Sequence, residues 1–358
     1  MVTLPGKSST CSLELPIPLL LPPISAYFAA QSPSPDDAPC VTSRLMAHLP
    51  FAPRKRQRLY DNVEDVLKMH PCFNFKHFKD RAEAMFRWGS EADSSDDGAL
   101  DSSSPGHPSL ETGGMMGGQK AELARAIFFG PPSATPVSAS KGPSPAKPTL
   151  SFFAAVAAAF ALGTLVDREV ADEEARIHAA AQCEGIIKGK NTQKDSASYP
   201  SVLLGLSQQA LALFEKNNSY DLDFLVTMIL HVLYMLHDSK ARVAHNLLPD
   251  VGKMVNVART MGLDADPDEF PGTFNLFDAE ARRRLWWDIF YYDLFVSDYM
   301  GRSALISDTE HTTRLPMDVD EDVFTPACTS IPLPRSPLSL LEPNVSDFKY
   351  FGLKCRYI

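Results

Sequence analysis

The sequence predicts an all-α protein, an irregular multi-helix array with a long disordered N-terminal region and disordered linkers. Three observations carry this expectation. Beyond Thr149, apolar residues recur at the i, i+3, i+4, i+7 spacing of a helix face. No tract there alternates polar and apolar residues as a half-buried strand does. The 29 prolines among 358 residues gather in a few stretches, which marks linkers instead of element interiors.

Residues 1–50 mix proline, serine and alanine without helical period, and are expected to be disordered because such a composition buries too little surface to offset its ordering entropy. Residues 51–89 form a helical lead-in. Leu59, Val63, Val66 and Leu67 recur at helical spacing, and Phe73, Phe75, Phe78, Phe86 and Trp88 supply aromatic surface that needs a partner. The lead-in opens on the basic run Arg54, Lys55, Arg56 and Arg58, a composition read by nuclear import receptors and equally that of a solvated helix start. Residues 90–148 are expected to be an acidic and then Pro/Ser-rich disordered linker, interrupted only by a short helical pattern over 119–129.

The main unit is expected over residues 149–358. Its first helix, Ser151 to about Ala181, aligns Phe152, Val156, Phe160 and Gly163, and its alanines with Gly163 would let a neighbouring helix come close. A second helix covers Ser201 to about Lys216. A third covers about Asp221 to His237, where seven apolar residues from Leu222 to Leu236 follow the helical rule and Asp221 suits an N-cap. A fourth, Lys240 to Met261, contains Pro249, expected to kink or restart it, and Gly262 to stop it. The fifth runs from Asp278 to about Met300 and ends at Gly301.

Several function classes drop out. A net charge of -10 lacks the basic excess of a chain that grips nucleic acid along its phosphates. The six cysteines (Cys11, Cys40, Cys72, Cys183, Cys328 and Cys355) contain no Cys-x-x-Cys pair that could seat a metal, so no zinc cluster is expected within the chain, and reduced thiols are expected. Leu13–Ile24 is broken by prolines, and Ser151–Val166 is shorter than the roughly 20 residues of a bilayer-spanning helix, so no membrane partner is expected. No nucleophile elbow, phosphate-binding glycine loop or His-Glu-x-x-His helix appears, and no enzyme activity is expected. His231 and His237, six apart, face different sides of their helix and are not expected to share a metal.

The fifth helix reads Glu280-Ala-Arg-Arg-Arg-Leu-Trp-Trp-Asp-Ile-Phe. Leu285, Ile289, Tyr292 and Val296 form an apolar stripe, flanked by Trp286 and Phe290. Arg282, Arg283 and Arg284 lie towards the end where the helix dipole disfavours cations, so acidic partners are expected, with Asp288 and Asp293 as candidates. Arginine also suits phosphate and guanine, but beside two tryptophans Arg283 and Arg284 are expected to pair with carboxylates.

Arg282-Arg-Arg-Leu-Trp-Trp-Asp-Ile-Phe-Tyr-Tyr-Asp293, followed by Gly301-Arg302 and Leu315-Pro-Met-Asp318, resembles the signature of the fungal-specific transcription factor domain, the middle homology region of zinc binuclear cluster regulators. Val257-Ala-Arg-Thr-Met-Gly-Leu263, Phe152–Leu165 and His70-Pro-Cys-Phe-Asn-Phe-Lys-His-Phe78 resemble other family segments in the family's order. Two departures stand out: the family's cysteine cluster is absent, and Tyr350–Ile358 resembles the start of a further helix cut short.

The resemblance implies a nuclear regulator of RNA polymerase II genes whose domain restrains or exposes activation and, in some members, responds to a small-molecule effector. It implies DNA contact only through a missing module or a partner chain, in a homodimer or heterodimer. The two zinc ions of family members belong to that N-terminal module, and no cofactor is expected in this chain. Arg283, Arg284, Trp286, Trp287, Asp293, Gly301, Arg302 and Pro316 are the signature positions, expected to be structural. The alternative is a stand-alone helical interaction or ligand-binding protein without DNA-binding activity.

Overall fold

A computed structural model describes residues 39–96, 117–129, 147–181, 200–238, 243–332 and 348–356. The disorder expected over residues 1–38, 97–116 and 130–146 lies outside the described residues, as do Cys11 and Cys183. Ten α-helices are present among the described residues: α1 (Ser43–Met46), α2 (Pro53–Leu67), α3 (Phe75–Asp96), α4 (Gly117–Phe128), α5 (Leu150–Ala181), α6 (Pro200–Asn217), α7 (Leu222–His237), α8 (Val243–Thr260), α9 (Leu276–Tyr299) and α10 (Phe348–Arg356). A short 3-10 turn, Pro267–Glu269, precedes α9. No strand is formed among the described residues, only an isolated bridge between Pro39 and Phe129, and the all-α expectation stands.

α5 is the axis of the molecule. Every side chain from Phe153 to Leu162 is fully buried, and α2, α6 and α7 all pack on it. Its alanines make this crowding feasible, because small side chains let helix axes close to the short end of the usual 8–10 Å. Gly163 marks the tightest approach: a Cβ there would lie 2.6 Å from the Leu59 carbonyl oxygen. Asn62 on α2 seals the contact, its amide donating to the Gly163 carbonyl at 3.0 Å. The 18-residue stretch Leu150–Asp167 is long and apolar enough to cross a bilayer, contrary to the length argument from sequence, but its apolar surface is taken up by neighbouring helices.

α7 is buried over most of its circumference and begins where expected, with Asp221 accepting from the Phe224 N–H at 2.8 Å. Inside this layer Ser207 of α6 donates to the Ala154 carbonyl at 2.7 Å and lies 2.8 Å from Nε2 of His231. The serine proton is thereby committed, so the imidazole donates from Nε2. Burial pushes the His231 pKa down to about 4, which keeps the ring neutral. α8 joins α7 to α9.

Two stretches expected to be disordered are ordered, and α8 does not restart at its proline. Residues 39–50 are ordered: Val41, Leu45, Met46 and Leu49 are buried, with α1 packed on α3 and α4. Within the expected linker 90–148, α3 continues to Asp96 and α4 buries Ala124, Ile127 and Phe128, tied down by the Cys40 N–H to the Phe128 carbonyl at 3.0 Å. The lead-in shares one continuous core with α5–α9. Pro249 lies inside an unbroken α8, since proline removes one backbone donor and the packed helix absorbs that loss. The helices also run through Phe348–Arg356, where Phe351 and Cys355 are buried.

Candidate functional site

The signature helix α9 starts from Asn275, whose side chain accepts from the Asp278 N–H at 2.8 Å, and ends before Gly301, whose φ of 63° is the left-handed turn glycine accommodates. Between them it buries polar groups along with its apolar stripe: Glu280, Arg283, Arg284, Asp288 and Asp293 are all nearly inaccessible. Charges at such depth require partners in place.

Most of the arginines' partners come from the flanking loops, with Glu280 of α9 itself beside them. Arg283 forks onto Asp266, Nε to one oxygen at 3.0 Å and Nη2 to the other at 2.8 Å, and Nη2 also reaches Asp268 at 2.9 Å. Arg314 closes the ring from the other side, its N–H donating to Asp266 at 2.9 Å and its guanidinium binding Asp266 and Asp268. Burial alone would raise the Asp266 pKa; the guanidinium of Arg283 and the donors of Arg314 outweigh it and hold that carboxyl far below the carboxylate range. Arg284 donates to Glu280 at 3.3 Å and to Glu321, and Glu280 also accepts from the Met317 N–H at 2.8 Å. The segment 314–321 is thus strapped across the N-terminal half of α9. Pro316, buried, and Trp287, donating to the Arg314 carbonyl at 2.9 Å, complete that strap.

Asp288 and Asp293, the acids anticipated for the arginines, serve elsewhere. Asp288 is fully buried against Lys354 of α10 at 2.7 Å, and Asp293 accepts from the Ile306 N–H at 2.7 Å. Burial would raise the Asp288 pKa, but the Lys354 ammonium and His70 bring it below its usual value. Trp286 is completely buried, with Trp287 and Phe290 beside it around the imidazole of His311. Arg302 is exposed.

The basic run folds into α2 and is split. Arg56 is buried, paired with both oxygens of Glu83 at 2.9 and 2.7 Å and lying 4.2 Å from the centre of the Phe86 ring. Arg58 pairs with Asp167, and Arg54 is exposed. Arg56 therefore belongs to the core, and a receptor would have only the remaining cations of the run.

Two concavities adjoin the strap. One, of about 130 Å³, lies between α3, α7 and α9, with Phe78, Val226, Phe277 and Phe324 as walls and Arg81, Glu280 and Arg284 as polar groups. The other, of about 440 Å³, is a groove with Lys68, Lys76 and Lys79 facing Asp318, Asp320, Glu321 and Asp322. No group of three or more His, Cys, Asp or Glu is arranged for a metal among the described residues. The sequence reading missed Asp266, Asp268, Arg314, Glu321 and Lys354. The signal was faint: Asp266-Pro-Asp reads as a turn with an acidic cap, which gives no hint of the guanidinium it receives.

Comparison with known proteins bears on the whole of this region. A family model described as the fungal specific transcription factor domain matches residues 138–341. The pyrrolocin cluster transcription factor fsdR of Fungal sp. (strain NRRL 50135) is 30% identical over 145 residues, 40% of this chain and 18% of that protein. The Zn(2)-C6 fungal-type transcription factor pigI of Monascus ruber is 31% identical over 140 residues, 37% of this chain and 17% of its own. The equisetin cluster transcription factor eqxF of Fusarium heterosporum is 28% identical over 146 residues, 41% of this chain and 20% of its own. The chain thus aligns with a fifth or less of the length of these curated relatives. No solved structure matches the chain. With the match running from the segment before α5 through the strapped signature helix, this chain belongs to the fungal specific transcription factor domain family.

Proposed function

We propose that this chain is the regulatory, middle-homology portion of a nuclear transcription regulator of RNA polymerase II genes. The observation that carries the reading is the family match over residues 138–341, supported by relatives whose names are those of transcription factors. The charge distribution agrees: the net charge is -10, and Arg283 and Arg284 are spent on internal carboxylates, leaving no guanidinium of that pair for phosphate. DNA contact then comes from a separate module or a partner chain in a homodimer or heterodimer. The name of the pigI relative suggests a zinc-cluster module for that role, with the two zinc ions held there. Two relatives are named for metabolite clusters, which makes a biosynthetic gene cluster the first place to look for targets. No catalytic role is assigned. Import through Arg54, Lys55 and Arg58, without Arg56, fits the fold.

A second reading, a helical binding protein that never approaches chromatin, draws on the same acidic balance. Tagging the gene product at its own locus separates the two. The regulator reading expects nuclear signal, chromatin enrichment upstream of a gene set, and altered transcripts of that set on deletion. A tagged protein absent from chromatin, with unchanged transcripts on deletion, refutes it.

A further inference from the structure

We propose that the strap, followed through to Phe324, occupies a docking surface for an acidic peptide with an aromatic residue three positions after a glutamate, and that a partner carrying such a peptide displaces it. The surface lies where α2 runs into α3. It is the groove of about 440 Å³, to which Phe73 and Phe75 contribute apolar surface and Lys68, Lys76 and Lys79 contribute charge. Lys68 also pairs with the exposed Asp65 at 2.7 Å, so Lys76 and Lys79 are the cations that matter most to an acidic occupant. Apart from Glu64, every carboxylate in the groove lining belongs to the strap, as Asp318, Asp320, Glu321 and Asp322. With the strap lifted away the groove is basic.

The strap sits there as a bound peptide sits on a receptor. Its main chain is read by side chains 246–250 residues earlier: the Asn74 amide donates to the Glu321 and Phe324 carbonyls at 3.4 and 3.3 Å, and Lys76 donates to the Asp322 carbonyl at 2.8 Å. Its best-held acid is Glu321. One oxygen takes the Arg284 guanidinium, and the other takes the Phe75 N–H at the start of α3 at 3.3 Å. Both donors favour an anion, the guanidinium by its charge and the helix N-terminus by its dipole. Its anchor is Phe324, buried with its ring 5.3 Å from that of Phe277. Gripped carbonyls, one acid and one aromatic residue form a recognition set that another chain with the same spacing can satisfy, since main-chain bonds supply affinity and side-chain seats supply selectivity.

The strap is held in a way that lets it exchange. Residues 314–324 form no helix, and Val319 and Phe324 join Phe277 in a small cluster outside the main core. Val323 is exposed. A segment with so little apolar surface in the core opens at a lower free energy than the core helices do. Its tether works in the opposite direction. As part of the same chain the strap has an effective concentration at the groove on the order of millimolar, so a free peptide competes poorly until the strap's own contacts are weakened.

The test is fluorescence anisotropy of a labelled peptide of residues 317–326 titrated with the full chain. The unaltered chain should bind it weakly. The Glu321→Gln, Phe324→Ser double variant should bind it about tenfold or more tighter, because the internal competitor has lost its acid and its anchor. Adding Lys76→Glu should remove that gain, and a scrambled peptide of the same composition should not bind. Hydrogen exchange on the unaltered chain gives a second reading that needs no variant. Amides 318–324 should exchange faster than those of α5, and a large excess of peptide should speed them further without speeding 73–77, where the peptide takes the strap's place. No gain in the double variant, a gain indifferent to Lys76→Glu, equal binding of the scrambled peptide, or strap exchange that the peptide leaves unmoved overturns the proposal. None of these outcomes touches the chromatin experiment, so the two readings fail separately.

Discussion

Arg283 reaches back seventeen residues to grip both oxygens of Asp266, at 3.0 and 2.8 Å, with both side chains almost wholly buried. The pair fastens the loop before α9 to the helix itself, and Arg314 fastens the loop after it to the same carboxylate. Removing Arg283 strips the buried Asp266 of its bidentate partner and leaves the exposed Arg314 to hold that carboxylate, a loss approaching the value of about 3–5 kcal/mol typical of a broken buried pair. Urea denaturation of Arg283→Gln should show a loss of that order. Arg302→Gln, at an exposed signature position, should stay within about 0.5 kcal/mol of the unaltered protein. Equal effects at the two positions would contradict the assignment.

Two helical glycines should respond with opposite signs. At Gly163 a Cβ would sit 2.6 Å from the Leu59 carbonyl oxygen and 3.1 Å from Val63, so Gly163→Ala should cost about 1–3 kcal/mol through overpacking. At Gly205 in α6 nothing lies within 4 Å of the added methyl, and Gly205→Ala should gain up to about 1 kcal/mol. Thermal melts of both variants decide this, and a shift of the same sign in both would sink the close-contact account.

The Lys354–Asp288 pair is the charged anchor of α10 on α9. Lys354→Met should destabilise by about 3–5 kcal/mol because Asp288 stays fully buried without its ammonium partner, with His70 at 3.8 Å left beside it. Adding Asp288→Asn should recover a substantial part of that loss. A double-mutant cycle measures the coupling, and simple additivity of the two losses would mean that the residues act independently.

His231 predicts an acid-sensitive step. Its folded pKa of about 4 lies below the ordinary 6.5, so the unfolded chain binds the proton more readily. The stability it contributes is complete above pH 6.5 and is lost as the pH falls towards 4, about 3 kcal/mol at roughly 1.4 kcal/mol for each pH unit. His231→Gln keeps a donor for Ser207 and cannot titrate, so its stability profile should be flatter across that window. An identical slope in the variant would assign the acid sensitivity to other groups.

How far the sequence carried depended on whether the information was local. α7 was readable because its stripe and its cap, Asp221, lie within one helix, and α5 was readable because its alanines and Gly163 announce close packing. α4 was readable as the short helical pattern over 119–129 but its burial was not: Ala124 and Phe128 are buried where it packs on α1, which lies in a stretch expected to be disordered. The partners of the arginines were misread for a geometric reason. Asp293 stands ten residues beyond Arg283, about 15 Å along the axis at 1.5 Å per residue, out of its reach. Asp288 lies one turn from Arg284 but is occupied by Lys354 from α10, whereas Asp266 and Glu321 arrive through loops 17 and 37 residues away. The groove beside the strap was equally invisible, since its walls come from α2, α3 and the strap.

The central claim is that the charged and aromatic signature of α9 is internal architecture, leaving DNA recognition to another module. Its most direct test is the Arg283→Gln, Arg284→Gln double variant of the full chain, measured for thermal unfolding and for binding to duplex DNA alongside the unaltered protein. A destabilisation of at least about 3 kcal/mol corresponds to a melting point lower by roughly 6–12 °C, and that drop is predicted with no change in DNA affinity. An unchanged melting point together with lost DNA binding would contradict the account.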